Sequence, residues 1–404
     1  MDNNLKRYAI IAIYSFPIGL AATNRILAYS KGMVANGSNV DIYIPFPTDR
    51  PNSSNYANSG SYQGVNYYYS NGKYSSKVGL FRALSVLSGY REIIGIIATI
   101  KKLLTEHKKS NYTSIIISTD WISYLFIYSL LAKYLKISSI FIFDEFPIPI
   151  RHKLKDRIPL IKQYLFKKVL ANVSAYISIS KELQNFYNNI VQKKTFILSI
   201  IVDISRFEVS EKHISNEETK NICYMGNMEL SKDNVDIIIE AFALLSDKHP
   251  NINFNLYGVP SEKTYNYLHN LIVSLNLTNR VLIKGRIDAE QVPLILSKAY
   301  ILVSSQPDTK RASGGFPTKL GEYLASGVPA LLTDVGENSS YVNDGVHVFF
   351  TKPNDPEAYA KKMEYIINNY DVALQVAKNG KSFIRDNYSH IAMGQKIIDF
   401  IDNI

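Results

Sequence analysis

Short apolar runs alternate along the chain with longer stretches in which apolar residues recur at helical spacing. Several of the short runs are continuous in Ile, Val and Phe, which is typical of strands covered on both faces. The first half contains seven such predicted strands, at Tyr8–Tyr14, Val40–Ile44, Val65–Tyr69, Ser114–Ser118, Ser139–Phe143, Ala175–Ile179 and Lys194–Leu198. Helices are predicted between most of them, including Ala21–Asn36, Ile93–His107 and Tyr124–Leu135. The exception is Pro45–Gly64, where Pro, Asn, Ser and Gly predict a long polar loop.

The same alternation restarts after a polar, charged segment, Glu208–Lys220. Strands are predicted there at Asn221–Met225, Asn253–Tyr257, Val281–Lys284, Ile301–Ser304 and Pro329–Thr333. Helices are predicted at Asn234–Leu245, Thr264–Leu275, Ala289–Lys298 and Thr318–Ser326. Repeated βα units predict mostly parallel sheets with helices on both faces. The predicted fold class is therefore α/β, with two doubly wound, Rossmann-like domains facing a cleft.

The predicted domains are residues 1–203 and 204–386, followed by an amphipathic helix, 387–404, that returns to the first domain. The longest apolar region, Tyr124–Phe143, is interrupted by Lys133 and Lys136, so it predicts a helix and a strand rather than a membrane span. Cys223 is the single cysteine, and the seven histidines show no metal-binding spacing. We therefore predict neither a disulfide nor a metal site.

The net charge of +10 points to an anionic partner, which can be a nucleotide, a lipid headgroup or a nucleic acid. Nucleic acid is disfavoured because no binding module and no aromatic platform at motif spacing is present. The segment Arg151–Lys168 mixes many cations with Ile, Leu, Tyr and Phe. That mixture is typical of a helix on an acidic membrane face and also of a plain exposed helix, and both interpretations stay open.

The segment GGFPTKLGEYLASGVPALLTD, Gly314–Asp334, has the features of an anion site. Pro317 suits the first position of a helix and Gly327 the position just past its end. The free amides and the positive dipole end of this helix attract a diphosphate, which Gly314 and Gly315 allow to approach closely. Glu322, one turn further, can accept bonds from a diol. An ordinary strand–loop–helix connection has the same spacing.

Nearly the whole chain resembles family 4 glycosyltransferases, which adopt the GT-B fold. The resemblance is carried by SFPIGLAATNRILAYSKGMVANGSNV near the start, and by YISISKELQNFY and IIVDISRF at the domain junction. It continues through YMGNMELSKDNVDIIIEAF, LIKGRIDAEQVPLILSKAYILVSS and GGFPTKLGEYLASGVPALLTDVGE. The order and spacing of these segments together indicate the family more specifically than any single segment does.

The resemblance implies roles for individual residues of the second domain. Glu322 matches the glutamate that binds the ribose, and Lys232 the lysine that pairs with donor phosphates. In the family, backbone amides bind the diphosphate. The matching positions here are Gly315, Phe316, Thr318 and Lys319. The family's first glutamate is replaced by Gly314. Asp308 or Asp334 can take the role of that glutamate.

Two further positions depart from the family pattern. Asn227 stands where the family has an arginine, and Arg286 can partly restore that cation. In the first domain, Gly19 matches the glycine loop of the first βα turn, with Leu20 in place of a paired glycine.

The chemistry needs fixed positive charge around the departing phosphate. The candidate catalytic residues are Lys232, Glu322 and Glu145, of which Glu145 can orient an acceptor hydroxyl. Asp120 and Asp144 also follow predicted strands, and Asp120 can instead cap the next helix. Arg25 and Arg151 can bind an anionic acceptor or lie on the surface as ordinary cations. No DxD sequence lies near the site, so we predict a reaction without a metal.

We therefore expect a retaining, metal-independent glycosyltransferase of the hexosyltransferase type, with a nucleotide-diphosphate sugar as donor substrate and no other cofactor. The resemblance implies a glycan or lipid-linked acceptor in bacterial surface polysaccharide synthesis. It also implies a cytoplasmic location, with peripheral contact to the acidic inner face of the plasma membrane. The alternatives are a nucleotide-sugar epimerase of the same fold and a catalytically impaired relative that binds a partner. A glycoside hydrolase is disfavoured because hydrolysis needs no phosphate cradle.

Overall fold

The computed structural model describes residues 5–19, 21–48, 56–72, 86–147, 160–208, 220–309 and 318–404. The chain divides into two compact units, the first formed by Met1–Ile201 with His390–Ile404 and the second by Val202–Ser389. Each unit is built around one sheet.

The first unit contains an eight-stranded sheet in the order β3-β4-β2-β1-β5-β6-β7-β8. Only β3 runs antiparallel to its neighbour among these described strands. The strands are β1 (Arg7–Ala12), β2 (Asn39–Ile44), β3 (Ser59–Tyr62), β4 (Val65–Tyr69), β5 (Ser114–Ser118), β6 (Ser138–Phe143), β7 (Ala175–Ser178) and β8 (Thr195–Ile197). The central strands are buried along almost their whole length, because helices cover both faces of the sheet.

Six described helices belong to this unit: α1 (Ala21–Ala35), α2 (Val86–Lys109), α3 (Ile122–Tyr134), α4 (Leu160–Asn172), α5 (Lys181–Ile190) and α14 (His390–Asp402). The last helix packs on the first through two glycines. A Cβ atom on Gly32 would lie 1.8 Å from the carbonyl oxygen of His390, and one on Gly394 would lie 2.2 Å from the carbonyl carbon of Gly32. The backbones of α1 and α14 therefore touch at a point that admits no side chain.

The second unit contains a fully parallel six-stranded sheet in the order β11-β10-β9-β12-β13-β14. Its strands are β9 (Lys220–Met225), β10 (Ile252–Tyr257), β11 (Val281–Gly285), β12 (Ile301–Ser304), β13 (Ala330–Thr333) and β14 (Phe349–Thr351). Its helices are α6 (Ser205–Glu208), α7 (Val235–Ser246), α8 (Glu262–Ser274), α9 (Val292–Ser297), α10 (Thr318–Ser326), α11 (Asn338–Tyr341), α12 (Pro356–Asn368) and α13 (Tyr370–Tyr388). A continuous core joins the sheet to α7 and α12.

The predicted α/β class with two mostly parallel sheets is confirmed by these two strand orders. The strands β4, β5 and β12 have the predicted bounds, and most others differ by one or two residues at an end. The helix predicted at Ile93–His107 is longer and runs from Val86 to Lys109.

Two predictions about local structure were wrong, and one short strand was not predicted. The polar segment Pro45–Gly64 contains β3, which pairs with β4 across a turn in which Gln63 and Gly64 both have positive φ angles. That geometry suits a two-residue hairpin, although Gln–Gly is not its usual sequence. The short strand Phe349–Thr351 was missed. The last helix begins at His390 rather than at Asn387, because the extended residue Ser389 separates it from α13.

Within the residues that the structure describes, no helix combines the length and the apolar character needed to cross a bilayer. The region Tyr124–Phe143 forms part of α3 and then β6, as predicted.

Candidate functional site

Three neighbouring strands of the second unit end in glycines where the backbones come close together. A Cβ atom on Gly258 would lie 1.7 Å from the carbonyl oxygen of Gly226, and the Gly258 amide donates to the carbonyl of Gly285 at 2.8 Å. Gly258 and Gly285 have positive φ angles, which glycine adopts without strain. The carboxyl ends of β9, β10 and β11 therefore form a shelf of bare backbone, at the sheet edge where ligands bind in open α/β sheets.

Helix α10 is positioned over this edge by a buried tyrosine. The Tyr323 hydroxyl donates to the carbonyl of Val303 in β12 at 3.2 Å and accepts from the Met225 amide in β9 at 3.1 Å. The helix ends at Ser326, and Gly327 has the positive φ angle expected just past a helix end. The amino-terminal turn of α10 is thereby held beside the last residues of β9.

Lys319, in that first turn, lies in a compact polar cluster. Its Nζ is 2.5 Å from the Asp233 carboxylate and 3.2 Å from the Tyr224 hydroxyl. It also lies 4.4 Å from the centre of the Tyr224 ring, a cation–π distance. A Cβ atom on Gly226 would lie 2.8 Å from the same Nζ and 2.3 Å from the Tyr224 hydroxyl oxygen, so a side chain here would displace these groups.

Burial dominates the electrostatics of this cluster. It lowers the pKa of Lys319, while the Asp233 carboxylate acts in the opposite direction and Lys232 adds a smaller lowering. Burial also raises the pKa of Tyr224 well above its ordinary value, and Asp233 raises it further. Lys319 had been expected to offer its charge to a ligand, but the structure pairs that charge with Asp233.

Glu322 lies one turn beyond Lys319 on α10 and is held by an arginine. Nη1 of Arg206 donates to Oε1 of Glu322 at 3.0 Å, and Nη2 donates to the carbonyl of Ala289 at 2.9 Å. Arg206 comes from the short helix α6, and Ala289 lies in the loop that follows β11. One guanidinium therefore ties α6 and the β11 loop to the carboxylate predicted to bind a diol.

The remaining predicted residues of the second unit lie near the same edge but are exposed. Lys232 is in the turn after β9, and among the described residues no carboxylate pairs with it. Asn227 is exposed, and its side-chain oxygen accepts from the amide of Glu229 at 3.3 Å. Arg286 directly follows Gly285 and is exposed. Asp308 and Asp334 are also exposed.

Part of the predicted phosphate loop lies outside the described residues. This applies to Gly314, Gly315, Phe316 and Pro317. Thr318 is described as the first residue of α10, without its side chain.

Among the described candidate residues of the first unit, Arg25 and Asp144 form an ion pair. Arg25 is buried, its Nη1 is ion-paired with Asp144, and Nη2 donates to the carbonyl of Leu198 at 3.1 Å. The interpretation of Arg25 as a surface cation was therefore wrong. Asp120 does not cap α3, because the cap position is Trp121 and no side chain caps this helix end.

Gly19 and Glu145 are the two first-unit residues among the predicted site residues. Gly19 lies in the turn after β1, where a Cβ atom would lie 2.2 Å from the Thr23 hydroxyl oxygen. Glu145 is exposed just after β6. Arg151 lies outside the described residues. Within the described ranges no group of three or more His, Cys, Asp or Glu side chains could hold a metal ion.

Sequence reasoning missed three residues of the site: Tyr224, Asp233 and Arg206. Asp233 adjoins the predicted Lys232, but its partner Lys319 is 86 positions away along the chain. The pair Arg206–Glu322 spans 116 positions. No local spacing signals such pairs, so a single sequence gave no means of finding them.

Residues 205–383 match the family described as glycosyl transferases group 1. The matched range lies within the second unit and includes the whole cluster from Arg206 to Glu322.

Curated relatives cover part of the chain. An uncharacterized glycosyltransferase of Methanocaldococcus jannaschii is 26% identical over 221 residues, which are 55% of this chain and 57% of that protein. Bacillus subtilis TuaC, named as a teichuronic acid biosynthesis glycosyltransferase, is 28% identical over 210 residues, which are 48% of this chain and 47% of TuaC. The chain spans about two fifths to three fifths of the length of the curated relatives it matches.

Solved structures resemble the chain over its whole length. A glycosyltransferase of Rickettsia africae ESF-5 has a TM-score of 0.69 at 15% identity, covering 99% of this chain and 98% of that one. Anabaena Alr3699/HepE, solved with UDP and glucose, has a TM-score of 0.68 at 14% identity, covering 98% and 99%. At these identities the likeness shows the fold, which is that of GT-B glycosyltransferases, as predicted.

Proposed function

We propose that this protein is a glycosyltransferase that moves a sugar from a nucleoside diphosphate donor onto a glycan or a lipid-linked glycan. The observation that carries the proposal is the arrangement at the carboxyl ends of β9 to β11. There the first turn of α10 meets a shelf of glycine backbone, and Glu322 stands one turn further along, held by Arg206. In this proposal the second unit binds the donor and the first unit the acceptor.

The proposed donor geometry places the ribose at Glu322. Arg206 takes one carboxylate oxygen, Oε1, and the other oxygen is the proposed acceptor for the ribose hydroxyls. A carboxylate that accepts bonds from hydroxyls favours a ribonucleotide over its 2′-deoxy form. The UDP and glucose in the Anabaena structure support a nucleoside diphosphate sugar as the donor.

The diphosphate then lies at the amino end of α10. The proposed ligands are the backbone amides of Gly315, Phe316, Thr318 and Lys319, together with the exposed cations Lys232 and Arg286. Because Lys319 is already paired with Asp233, we assign the charge that stabilises the leaving phosphate mainly to Lys232 and Arg286. Asn227 supplies a polar but uncharged group beside them.

In the proposed reaction the bond between the anomeric carbon and the phosphate oxygen breaks, and a glycosidic bond to the acceptor oxygen forms. The acceptor proton passes to the leaving phosphate, so the nucleoside diphosphate departs without a separate base. Electrostatic stabilisation of the phosphate is the main catalytic contribution, and Glu145 orients the acceptor hydroxyl. The configuration at the anomeric carbon is retained, as in family 4 glycosyltransferases, and fixed cations replace a metal.

The relatives support the proposed acceptor. TuaC is named for teichuronic acid biosynthesis, which supports a role in bacterial surface polysaccharide synthesis. Such a role requires a cytoplasmic donor and an acceptor at the inner face of the plasma membrane. We therefore propose a cytoplasmic protein in peripheral contact with that face.

A thermal-shift screen of UDP, GDP, ADP and their sugar conjugates tests donor binding. At least one of these nucleotides is expected to stabilise the protein, and Glu322→Ala is expected to abolish that stabilisation. Glu364→Ala is the matched control, because Glu364 has the same exposed fraction, 32%, and the same 3.0 Å ion pair, with Lys248, elsewhere in the second unit. Lack of stabilisation by every nucleotide contradicts the proposal.

Product analysis separates the alternatives. A transferase releases nucleoside diphosphate and labels an acceptor when both substrates are present. An epimerase converts the nucleotide sugar without any acceptor, and a catalytically impaired relative binds the nucleotide but turns over neither. Either of the last two results would replace the transferase assignment.

A further inference from the structure

Helix α3 of the first unit exposes a row of large apolar side chains. Ile122, Phe126, Leu130 and Tyr134 follow one another at intervals of four residues, which places them on one face of the helix. All four are exposed, and the exposed fraction is 45% for Phe126 and 76% for Tyr134. Scattered exposed residues are ordinary, but a continuous row along a helix marks an interaction surface.

The opposite face of α3 is already used for packing. Tyr124, Leu125, Tyr128, Leu131 and Ala132 are buried against the unit's own core. A helix at the surface of a globular unit normally pairs such a buried face with a polar outer face. Helix α3 is instead apolar on both sides.

Helix α4 continues the surface. It contacts α3, and Nζ of Lys133 near the end of α3 donates to the Asn172 side chain at the end of α4 at 2.6 Å. Ile161 and Leu165 of α4 are exposed, whereas Val169 and Leu170 anchor the helix in the core. We call the exposed residues of these two helices the α3–α4 surface.

The charge of the α3–α4 surface has one sign. The two helices contain four lysines, Lys133, Lys162, Lys167 and Lys168, and no Asp or Glu. All four lysines are exposed, and Lys168 also lies over the ring of Tyr164. The Ser123 hydroxyl donates to the Glu92 carboxylate at 3.5 Å, at the opposite end of α3 from Lys133.

The positive field of Lys133 reaches the segment just before β8. The pKa of Lys193 is lowered, first by burial and then by repulsion from Lys133. An anionic partner would relieve this repulsion.

We infer that the α3–α4 surface docks on an acidic lipid bilayer, an inference that rests on the peripheral membrane contact of the proposed function and assigns a surface to it. Apolar side chains flanked by lysines suit the boundary between acyl chains and anionic headgroups, because the lysine stems reach the phosphates while the apolar row enters the boundary. Helix α3 has 13 residues, about 20 Å of helix, which is too short to span a bilayer and suits a helix lying on it. A protein partner would need a matching acidic apolar groove, which is the competing outcome.

Vesicle flotation of the full chain tests this inference. The protein is expected to float with vesicles that mix phosphatidylcholine and phosphatidylglycerol, and to stay largely unbound with phosphatidylcholine alone. Added salt is expected to weaken binding, because it screens the lysines. Lys167→Glu with Lys168→Glu is expected to weaken it by more than about 25-fold, at about fivefold for each lysine charge removed.

Phe126→Ser with Leu130→Ser tests the apolar row. Loss of buried side chains of this size is expected to weaken binding by at least about tenfold. The matched controls lie in the second unit. Leu244→Ser with Val273→Ser changes two apolar residues that are at least as exposed as Phe126 and Leu130. Lys361→Glu with Lys378→Glu makes the same change in net charge as the lysine variant. Neither control is expected to alter flotation.

Three results would overturn the inference. The first is no flotation of the unaltered protein with anionic vesicles. The second is an equal loss of vesicle binding in the surface variants and in the control variants, which would reveal a non-specific charge effect. The third is a dimer or a protein complex that the Phe126 and Leu130 changes dissolve while vesicle binding stays absent. Stabilisation by a nucleotide, measured in the same variants, reports separately on the donor site and on folding.

Discussion

The pair Lys319–Asp233 should be among the most sensitive points of the second unit. The Asp233 side chain is 1% exposed and the Lys319 side chain 19%. Removing one partner of a buried ion pair leaves the other charge without compensation and typically costs about 3–5 kcal/mol. Lys319→Met strands the more deeply buried carboxylate, so it is expected to cost about that much.

The reverse change is expected to be milder. Asp233→Asn leaves Lys319 with partial access to water, with the Tyr224 hydroxyl at 3.2 Å, and with a pKa that burial already lowers. Its charge can therefore be solvated or lost, and we expect a cost of about 1–3 kcal/mol. In the double variant no isolated charge remains, so the cost should fall well below the sum of the two single costs.

Differential scanning calorimetry measures these effects. For a unit of this size about 1 kcal/mol corresponds to about 2–4 °C, so Lys319→Met is expected to lower the Tm of the second unit by about 6–20 °C. Lys248→Met, which breaks an exposed pair with Glu364, is the control and should change Tm by at most a few degrees. A small shift for Lys319→Met, or strictly additive costs in the double variant, would refute this account of the cluster.

Three further predictions concern other parts of the molecule. Arg206→Ala should lower the ratio of affinities for a ribonucleoside diphosphate and its 2′-deoxy form by about 10- to 100-fold, measured by calorimetric titration. In a Glu322→Ala background the same change should have no further effect on this ratio. A further decrease in that background would give Arg206 a different role. Hydrogen bonds from Lys109 and other cations lower the pKa of Glu106 from 4.5 to about 2, so its stabilising contribution is present above pH 4.5 and lost as pH falls towards 2. Glu106→Gln should accordingly flatten the pH dependence of Tm in this window, and an unchanged slope would count against it. Burial raises the pKa of Cys223 to about 12, so its thiol should react with a disulfide reagent at pH 8 only after denaturation, and fast reaction of the folded protein would contradict that burial.

The strands were the most predictable part of the fold. Continuous apolar runs such as Ser114–Ser118 and Ile301–Ser304 must be covered on both faces, and the parallel sheet is the arrangement that does so. The hairpin strand Ser59–Tyr62 escaped because it is short, mostly exposed and held by backbone pairing. Its residues carry no apolar alternation from which a strand could be inferred.

The residues that α10 contributes to the candidate site could be predicted from the sequence, but the residues that contact them could not. Gly327 and Glu322 follow from the spacing around α10, since helix ends and one-turn intervals are local features. The partners Asp233 and Arg206 reach that helix through the order of the strands, which brings the end of β9 and the loop after β11 to one edge. Arg25 illustrates the same limit, because only tertiary packing buries it against Asp144.

The central claim is that the amino-terminal turn of α10 receives the diphosphate while Glu322 holds the ribose. A crystal structure of the protein with the nucleoside diphosphate that stabilises it most tests this claim directly. We predict phosphate oxygens within hydrogen-bond distance of the backbone amides of Thr318 and Lys319, and ribose hydroxyls on the Glu322 carboxylate. A nucleotide bound elsewhere, with Glu322 still paired only to Arg206, would contradict it.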